Sequence, residues 1–263
     1  MNSVKLGDID VSYRRAGSGP ALVLLHGLAE DHASWNPVLG HMGNFTVFAV
    51  DLRGHGATTA GVGRGTLEQL GEDLVAFLRD VSGPARVVGY SLGGTIALEA
   101  ATRPDAAVEG VIAVATSSVV GRGAADFFAG RISQIVSGDW AAFADGLRAD
   151  TAGQVVTDVD VDAITAARLV AVGTGAGYVN AARAMIGVRS APLNARLDRI
   201  AVPVDVIGAD RDAFCPRRAA DILLEALPDA RYHEISGAGH LVSVDQPASY
   251  GRLLARLLEG SPP

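Results

Sequence analysis

The chain reads as an α/β protein, a mostly parallel sheet covered by helices on both faces with a helical insertion. Three observations carry that reading. Short β-branched or apolar runs alternate with segments of helical spacing. A glycine-rich turn, Gly89-Tyr90-Ser91-Leu92-Gly93, stands where a strand pattern gives way to a helix pattern. A long stretch, residues 117–195, holds helix-sized pieces and no strand run. Strands that alternate with helices are joined by crossovers, so their neighbours run parallel and both sheet faces are buried.

Taken along the chain, the strand-like runs are residues 10–15, 21–25, 46–50, 85–88, 110–115, 204–208 and 231–235. Between them, Leu67, Leu70, Leu74, Phe77 and Leu78 recur at helical spacing, and residues 92–103, 219–227 and 247–259 continue the pattern. Amphipathic pieces at residues 127–136, 140–148 and 164–172 mark the insertion. The expected organisation is a core formed by residues 1–116 and 196–263, with a helical cap at 117–195. The Pro-containing tail, residues 260–263, is expected to fray.

At 263 residues the chain can bury a substantial core, and its 49% apolar and 19% charged residues are those of a globular protein. A net charge of −7 with Lys5 as the single lysine leaves no basic stripe for a phosphate backbone, which excludes nucleic acid as a partner. The same acidity disfavours anionic membranes. The longest apolar runs, residues 21–25 and 111–115, are far below the roughly 20 residues of a spanning helix. The first ten residues carry Asp8 and Asp10 and lack a basic start and apolar block, so no signal peptide is expected and the default location is cytoplasmic. Cys215, the one cysteine, has no internal disulfide partner, which agrees with a reducing compartment. Nothing in the sequence fixes an oligomeric state.

The turn at residues 89–93 matches the G-x-S-x-G nucleophile elbow in its strand-turn-helix setting. A serine on so sharp a turn takes strained backbone angles, and side chains two residues before and after it would collide with the next turn. The hydroxyl is thereby raised clear of the sheet, while the new helix aims its first amides at developing negative charge. Serine is a poor nucleophile at neutral pH and needs a base oriented by a carboxylate. In a chain with this elbow the order is serine, acid, histidine, which leaves His233 and His240 as candidate bases. His233 falls inside a strand run, whereas His240 lies in the glycine-rich loop Ser236-Gly237-Ala238-Gly239 beyond it, so His240 is the better base.

The acid should follow the strand at 204–208, where Asp210 and Asp212 are both available. Thr116, Ser117 and Ser118 supply no carboxylate after the earlier strand. Asp212 precedes Pro216, whose fixed φ shapes a turn that presents the loop inward, so Asp212 is preferred and Asp210 is expected to cap the loop or pair with Arg211. The oxyanion hole requires the N–H of the residue after the nucleophile, Leu92, and one from the loop after residues 21–25. There Gly27 is expected to let the backbone turn so that the N–H of Leu28 points into the site. His26 reads as a loop hydrogen-bonding residue, with substrate contact as the alternative.

With these motifs in order, the sequence resembles the α/β-hydrolase superfamily, in its branch of capped serine esterases, lactonases and related hydrolases. The likeness spans almost the whole chain outside the insertion. It rests on the elbow, His26-Gly27 with Trp35 eight residues beyond Gly27, Asp51-Leu52-Arg53-Gly54-His55-Gly56, Asp212 with Pro216, and Gly239-His240. The resemblance implies an eight-stranded sheet flanked by helices, a Ser91, Asp212 and His240 triad, oxyanion amides from Leu28 and Leu92, a structural role for residues 51–56, and no cofactor or metal. The histidines agree in lacking H-x-H or H-E-x-x-H spacing. Gly173, Gly175 and Gly177 lie in the insertion and do not complete a dinucleotide fingerprint. A serine in the elbow disfavours the relatives that use an aspartate nucleophile. Two departures stand out: Ala57-Thr58-Thr59 where relatives carry an early serine, and Cys215, which has no family role.

The expected reaction is hydrolysis of a carboxylic ester or lactone of a small, uncharged organic substrate through an acyl-enzyme on Ser91. Phe127, Phe128 and Trp140 would shape the substrate pocket or pack an ordinary core. Carbon–carbon bond hydrolysis and perhydrolysis reuse the same triad and stand as alternatives within enzymes. A non-catalytic ligand receptor on this fold is the alternative from another class.

Overall fold

Alternation along each central strand sends its side chains into two separate cores. The computed structural model describes residues 1–227 and 229–260; residues 261–263, most of the tail expected to fray, lie outside them. In β3 (Ala21–Leu25), Val23 and Leu25 join a core with Leu70, Leu74 and Ile96, while Leu22 and Leu24 join another with Trp35, Tyr250 and Leu254. The same split recurs in β4 (Thr46–Val50), where Phe48 and Val50 face the first core and Val47 and Ala49 the second. Both faces are therefore covered, which is why these runs read as continuous apolar stretches.

Around them lie β1 (Asn2–Leu6), β2 (Ile9–Ala16), β5 (Ala85–Tyr90), β6 (Val108–Val114), β7 (Val204–Ala209) and β8 (Arg231–Ile235). Among the described residues the sheet has eight strands in the order β1-β2-β4-β3-β5-β6-β7-β8. β1 pairs antiparallel with β2, and β2 with β4; the remaining pairs are parallel. β1 has no counterpart among the strand runs read from sequence. It is an edge strand that buries only Leu6, and Lys5 on that edge discourages pairing with another chain.

The sequence order reverses at β3, with β4 on one side and β5 on the other, and such a switch point opens a crevice at the carboxyl ends of the strands. The loops leaving β3 and β5 meet there. α1 (Leu67–Phe77) begins on Thr66, whose hydroxyl accepts the Gln69 N–H at 3.2 Å, and buries Leu67, Leu70, Leu74 and Phe77 on the first core. α2 (Leu92–Ala101) is buried along its whole length.

Four helices occupy the chain between β6 and β7: α3 (Arg122–Val136), α4 (Trp140–Gln154), α5 (Val161–Val172) and α6 (Ala176–Ser190). α6 was not foreseen by periodicity. It buries Ala184, Met185 and Val188 in the first core and Tyr178 and Ala182 in a third core with Phe143 and Leu147, so it shows no single apolar stripe. A Cβ on Gly177 at its start would lie 2.3 Å from the carbonyl oxygen of Gly54, so close backbone approach accounts for that glycine. The fold closes with α7 (Arg217–Ala226), the short α8 (Val242–Asp245) and α9 (Pro247–Leu258). Among the described residues no helix is long and apolar enough to cross a membrane.

Candidate active site

Ser91 sits between β5 and α2 with φ 50° and ψ −114°, a region that side-chain-bearing residues avoid and that stores about 1–3 kcal/mol. Its surroundings enforce the bend. The Ser91 N–H donates to Val114 O at 2.8 Å, and the Thr116 hydroxyl donates to Ser91 O at 2.6 Å. A Cβ on Gly89 would stand 2.3 Å from Gly93 O, and one on Gly93 2.3 Å from Leu25 O. Both glycines are thus obligatory at this turn, and α2 packs directly against the end of β3.

His240 follows β8 in a loop held by two carboxylates. Asp210 Oδ1 accepts the N–H groups of Gly237 and Ala238 at 2.8 and 3.2 Å, and Asp245 Oδ2 accepts Gly239 N–H at 2.8 Å. The imidazole Nε2 lies 3.1 Å from Ser91 Oγ, and Nδ1 lies 2.8 Å from Asp212 Oδ2. Asp212 Oδ1 in turn accepts from Phe214 N–H at 2.8 Å and Cys215 N–H at 2.9 Å. Burial pushes the Asp212 carboxyl up, but the hydrogen bond and charge of His240 and the two loop amides outweigh it, so the group is held below the usual carboxylate range. The Phe214 ring stacks on His240 at 5.5 Å, and Tyr90 flanks it at 5.3 Å. Serine hydroxyl, imidazole and carboxylate thus form one hydrogen-bonded chain, as a proton relay to Nε2 requires.

Ser91 and His240 open into a cavity of about 370 Å³ that Leu28, Leu92, Phe127 and Phe128 also line. Among the described residues, neither the Leu28 nor the Leu92 N–H has a protein acceptor. The loop bearing Leu28 turns differently from the sequence expectation: the left-handed residue is Ala29, with φ 62°. Gly27 is required instead because a Cβ there would meet the Tyr90 ring at 2.6 Å.

Two of the candidate substrate contacts, His26 in its alternative role and Trp140, do not lie on the cavity. His26 is fully buried outside the cavity, its Nδ1 2.7 Å from Gly27 O and its Nε2 accepting Leu52 N–H at 2.9 Å, so it ties the β3 loop to the end of β4. Trp140 lies off the cavity, 41% exposed at the start of α4 with its edge on Phe143. Asp210 does not pair with Arg211; it fastens the loop of His240. His233, as expected for a strand residue, is engaged by Asp205 at 2.8 Å. Asp51 accepts from His32 N–H and Ala57 N–H at 2.8 and 3.0 Å, and Thr58 donates to Asp51 O at 2.7 Å, which closes this turn.

Sequence reasoning passed over Tyr90, Asp150, Gln154, Arg168 and Phe214, which line the cavity. The available signal was Asp150 and Gln154 one turn apart, and Arg168 alone in an apolar stretch of α5. Cys215 lines the cavity as well. Asp212, Cys215 and His240 bring three potential metal ligands within 4.8 Å of one another. Burial, then the charge of Asp212, pushes the Cys215 thiol up, and the imidazole is already bonded to Asp212, so this set is poorly suited to a cation.

A model of the alpha/beta hydrolase family matches residues 22–252. The chain is 31% identical over 260 residues to a pimeloyl-[acyl-carrier protein] methyl ester esterase of Aromatoleum aromaticum, covering 92% of this chain and 99% of that protein. It is 24% identical to the 3-oxoadipate enol-lactonase 2 of Acinetobacter baylyi, covering 96% and 94% of the two chains. Among solved structures, the enol-lactonase from Burkholderia xenovorans LB400 superposes with a TM-score of 0.87 at 25% identity, covering 98% of this chain and 100% of that one.

Proposed function

The chain belongs to the alpha/beta hydrolase family, and on that premise we propose that it cleaves a carboxylic ester or lactone of a small organic substrate through an acyl-enzyme on Ser91. The observation that carries this reading is the hydrogen-bonded chain from Ser91 Oγ through His240 to Asp212, placed at one wall of the cavity. The esterase and lactonase names among its relatives support the acyl chemistry.

Ser91 Oγ attacks the carbonyl carbon while its proton passes to His240 Nε2. Asp212, kept as a carboxylate, stabilises the imidazolium and holds the ring in the tautomer that presents Nε2 as acceptor. The N–H groups of Leu28 and Leu92 receive the oxyanion, a contribution worth about 3–4 kcal/mol per donor in comparable sites. Collapse returns the proton to the leaving alcohol, or to the opened end of a lactone, and leaves the acyl-serine. Water then gives a proton to His240, attacks the acyl carbon, and releases the acid with Ser91 restored. Residues 117–195 act as the cap, with Phe127 and Phe128 of α3 as its apolar wall. No metal or cofactor is assigned a step.

A panel of p-nitrophenyl esters of increasing chain length, with a fluorophosphonate label, tests the proposal. Turnover and labelling, both lost in Ser91→Ala, are the expected results. Labelling without turnover of any ester would move the assignment to a ligand receptor.

A further inference from the structure

We propose that Arg168 is a carboxylate-recognition residue, and that the substrate is an ester or lactone that carries a free carboxylate away from its scissile bond. The inference rests on the hydrolase reading and narrows its substrate class.

Arg168 extends from α5 into the cavity shared with Ser91, and among the described residues it is the only lysine or arginine that lines it. The residue is 8% exposed. A buried guanidinium keeps its charge and carries a desolvation cost of several kcal/mol unless a carboxylate answers it. Here none does: among the described residues no carboxylate oxygen comes within the 4.0 Å of a salt bridge. Neutral groups hold it instead. Nη1 donates to Thr151 Oγ1 at 2.9 Å and to Gln154 Oε1 at 2.6 Å, Nη2 donates to Leu28 O at 3.3 Å, and Nε is buried without a partner.

The nearby acids are engaged elsewhere. Asp150, on the same cavity wall, takes both nitrogens of the Arg131 fork at 2.9 and 2.8 Å. Asp212 is bonded to His240 and the loop amides. Glu30, which accepts Gly27 N–H at 3.2 Å, makes no salt bridge with Arg168; burial pushes its carboxyl up and the charge of Arg168 opposes that shift. The cavity thus offers one fixed positive charge with no carboxylate in salt-bridge contact among the described residues, and an apolar wall of Phe127 and Phe128. A substrate whose acyl chain ends in a carboxylate matches both. The fork geometry of arginine favours a planar carboxylate. Through Leu28 O the same guanidinium is anchored to the loop of the proposed oxyanion donor, so filling the carboxylate subsite also orders the acyl end of the substrate.

Acid release from monomethyl adipate and methyl hexanoate, followed by pH-stat, tests the assignment. The wild type is expected to favour the hemiester by at least tenfold in kcat/KM. Arg168→Gln should collapse that ratio by tenfold or more, mainly through KM, and Arg168→Lys should restore part of it. A wild-type ratio near one overturns the inference, as does an Arg168→Gln variant that loses equal factors on both esters, because that is the signature of a role confined to packing. A binding measurement stands apart from turnover. Calorimetry on the Ser91→Ala protein should show tenfold tighter binding of monomethyl adipate than of methyl 6-hydroxyhexanoate, with the difference lost on adding Arg168→Gln; equal affinities overturn it. If wild type hydrolyses both esters without regard to charge, the hydrolase reading stands and the carboxylate subsite falls. If it hydrolyses neither while the calorimetric difference holds, the subsite stands and the hydrolase reading falls.

Discussion

Asp210 accepts the backbone N–H of Gly237 at 2.8 Å, across the gap between the loop after β7 and the loop after β8. One carboxylate thereby fastens the histidine loop, while its neighbour Asp212, two residues on, bonds the imidazole itself at 2.8 Å.

The two acids should separate under mutation. Asp212→Asn is expected to lower kcat by about 10³–10⁴, since an amide holds His240 in the wrong tautomer. In Asp210→Asn the side-chain oxygen can still accept both loop amides, so kcat should fall less than about tenfold, whereas Asp210→Ala, which removes an exposed acceptor that water can replace, should cost about 0.5–1.5 kcal/mol of stability. Steady-state kinetics beside denaturant melts check this; a reversed order would transfer the acid role to Asp210.

At the elbow, Ser91→Ala should abolish turnover and labelling with the fold retained, a loss on the order of 10⁶ in kcat. Because Ser91 has φ 50°, glycine relieves strain that alanine keeps. Ser91→Gly should therefore be the more stable of the two variants, by about 1–3 kcal/mol of released strain less about 0.5–1 kcal/mol of glycine entropy. A Ser91→Gly variant that melts below Ser91→Ala would show that the turn is unstrained.

Gly27→Ala places a methyl group 2.6 Å from the Tyr90 ring and must move one or the other. Displacing the Leu28 amide is expected to cut kcat by about 10²-fold, with about 1–3 kcal/mol of overpacking in the melt. Adding Tyr90→Leu should recover part of both losses. A fully active Gly27→Ala enzyme would remove Leu28 from the oxyanion hole.

Acid sensitivity should arise from two buried histidines. Burial, reinforced for His26 by the charge of His55, pushes both down, with His55 lowered to about 4. Each stays neutral in the fold but gains a proton in the unfolded chain near pH 6.5, so the unfolded state binds more protons and stability falls as pH drops from about 6.5 to 4. For His55 the loss is on the order of 3 kcal/mol. Denaturant midpoints at pH 7, 5.5 and 4.5 should decline, more gently in His55→Asn. Asp8, lowered to about 2 by its bonds to Arg53 and Val62 N–H, adds a separate loss only below about pH 4.

In the cavity wall, Phe127→Ala should raise KM for long acyl chains severalfold, whereas Trp140→Ala should leave the chain-length profile unchanged, because only the former side chain lines the cavity.

The readings that the sequence determined by itself rest on local backbone demands. β3 and β4 fall on the apolar or β-branched runs that announce them, because a buried strand is a short continuous pattern. Gly89 follows from a contact inside the elbow itself, with Gly93 O, and the placing of Asp212 and His240 after late strands follows from chain order. Tertiary structure decided whatever depends on the far side of a side chain. α6 is buried on two sides and has no stripe to read, and β1 gains its place by pairing with β2 rather than by burying a face. His26 became a tie to Leu52, and Trp140 turned outward. Arg168 lies in an apolar stretch of α5; only the packing of α4, α5 and the Leu28 loop shows that it lines the cavity without a salt bridge among the described residues. Burial and partnership are long-range properties, and a residue's own neighbours in sequence do not encode which distant surface it will meet.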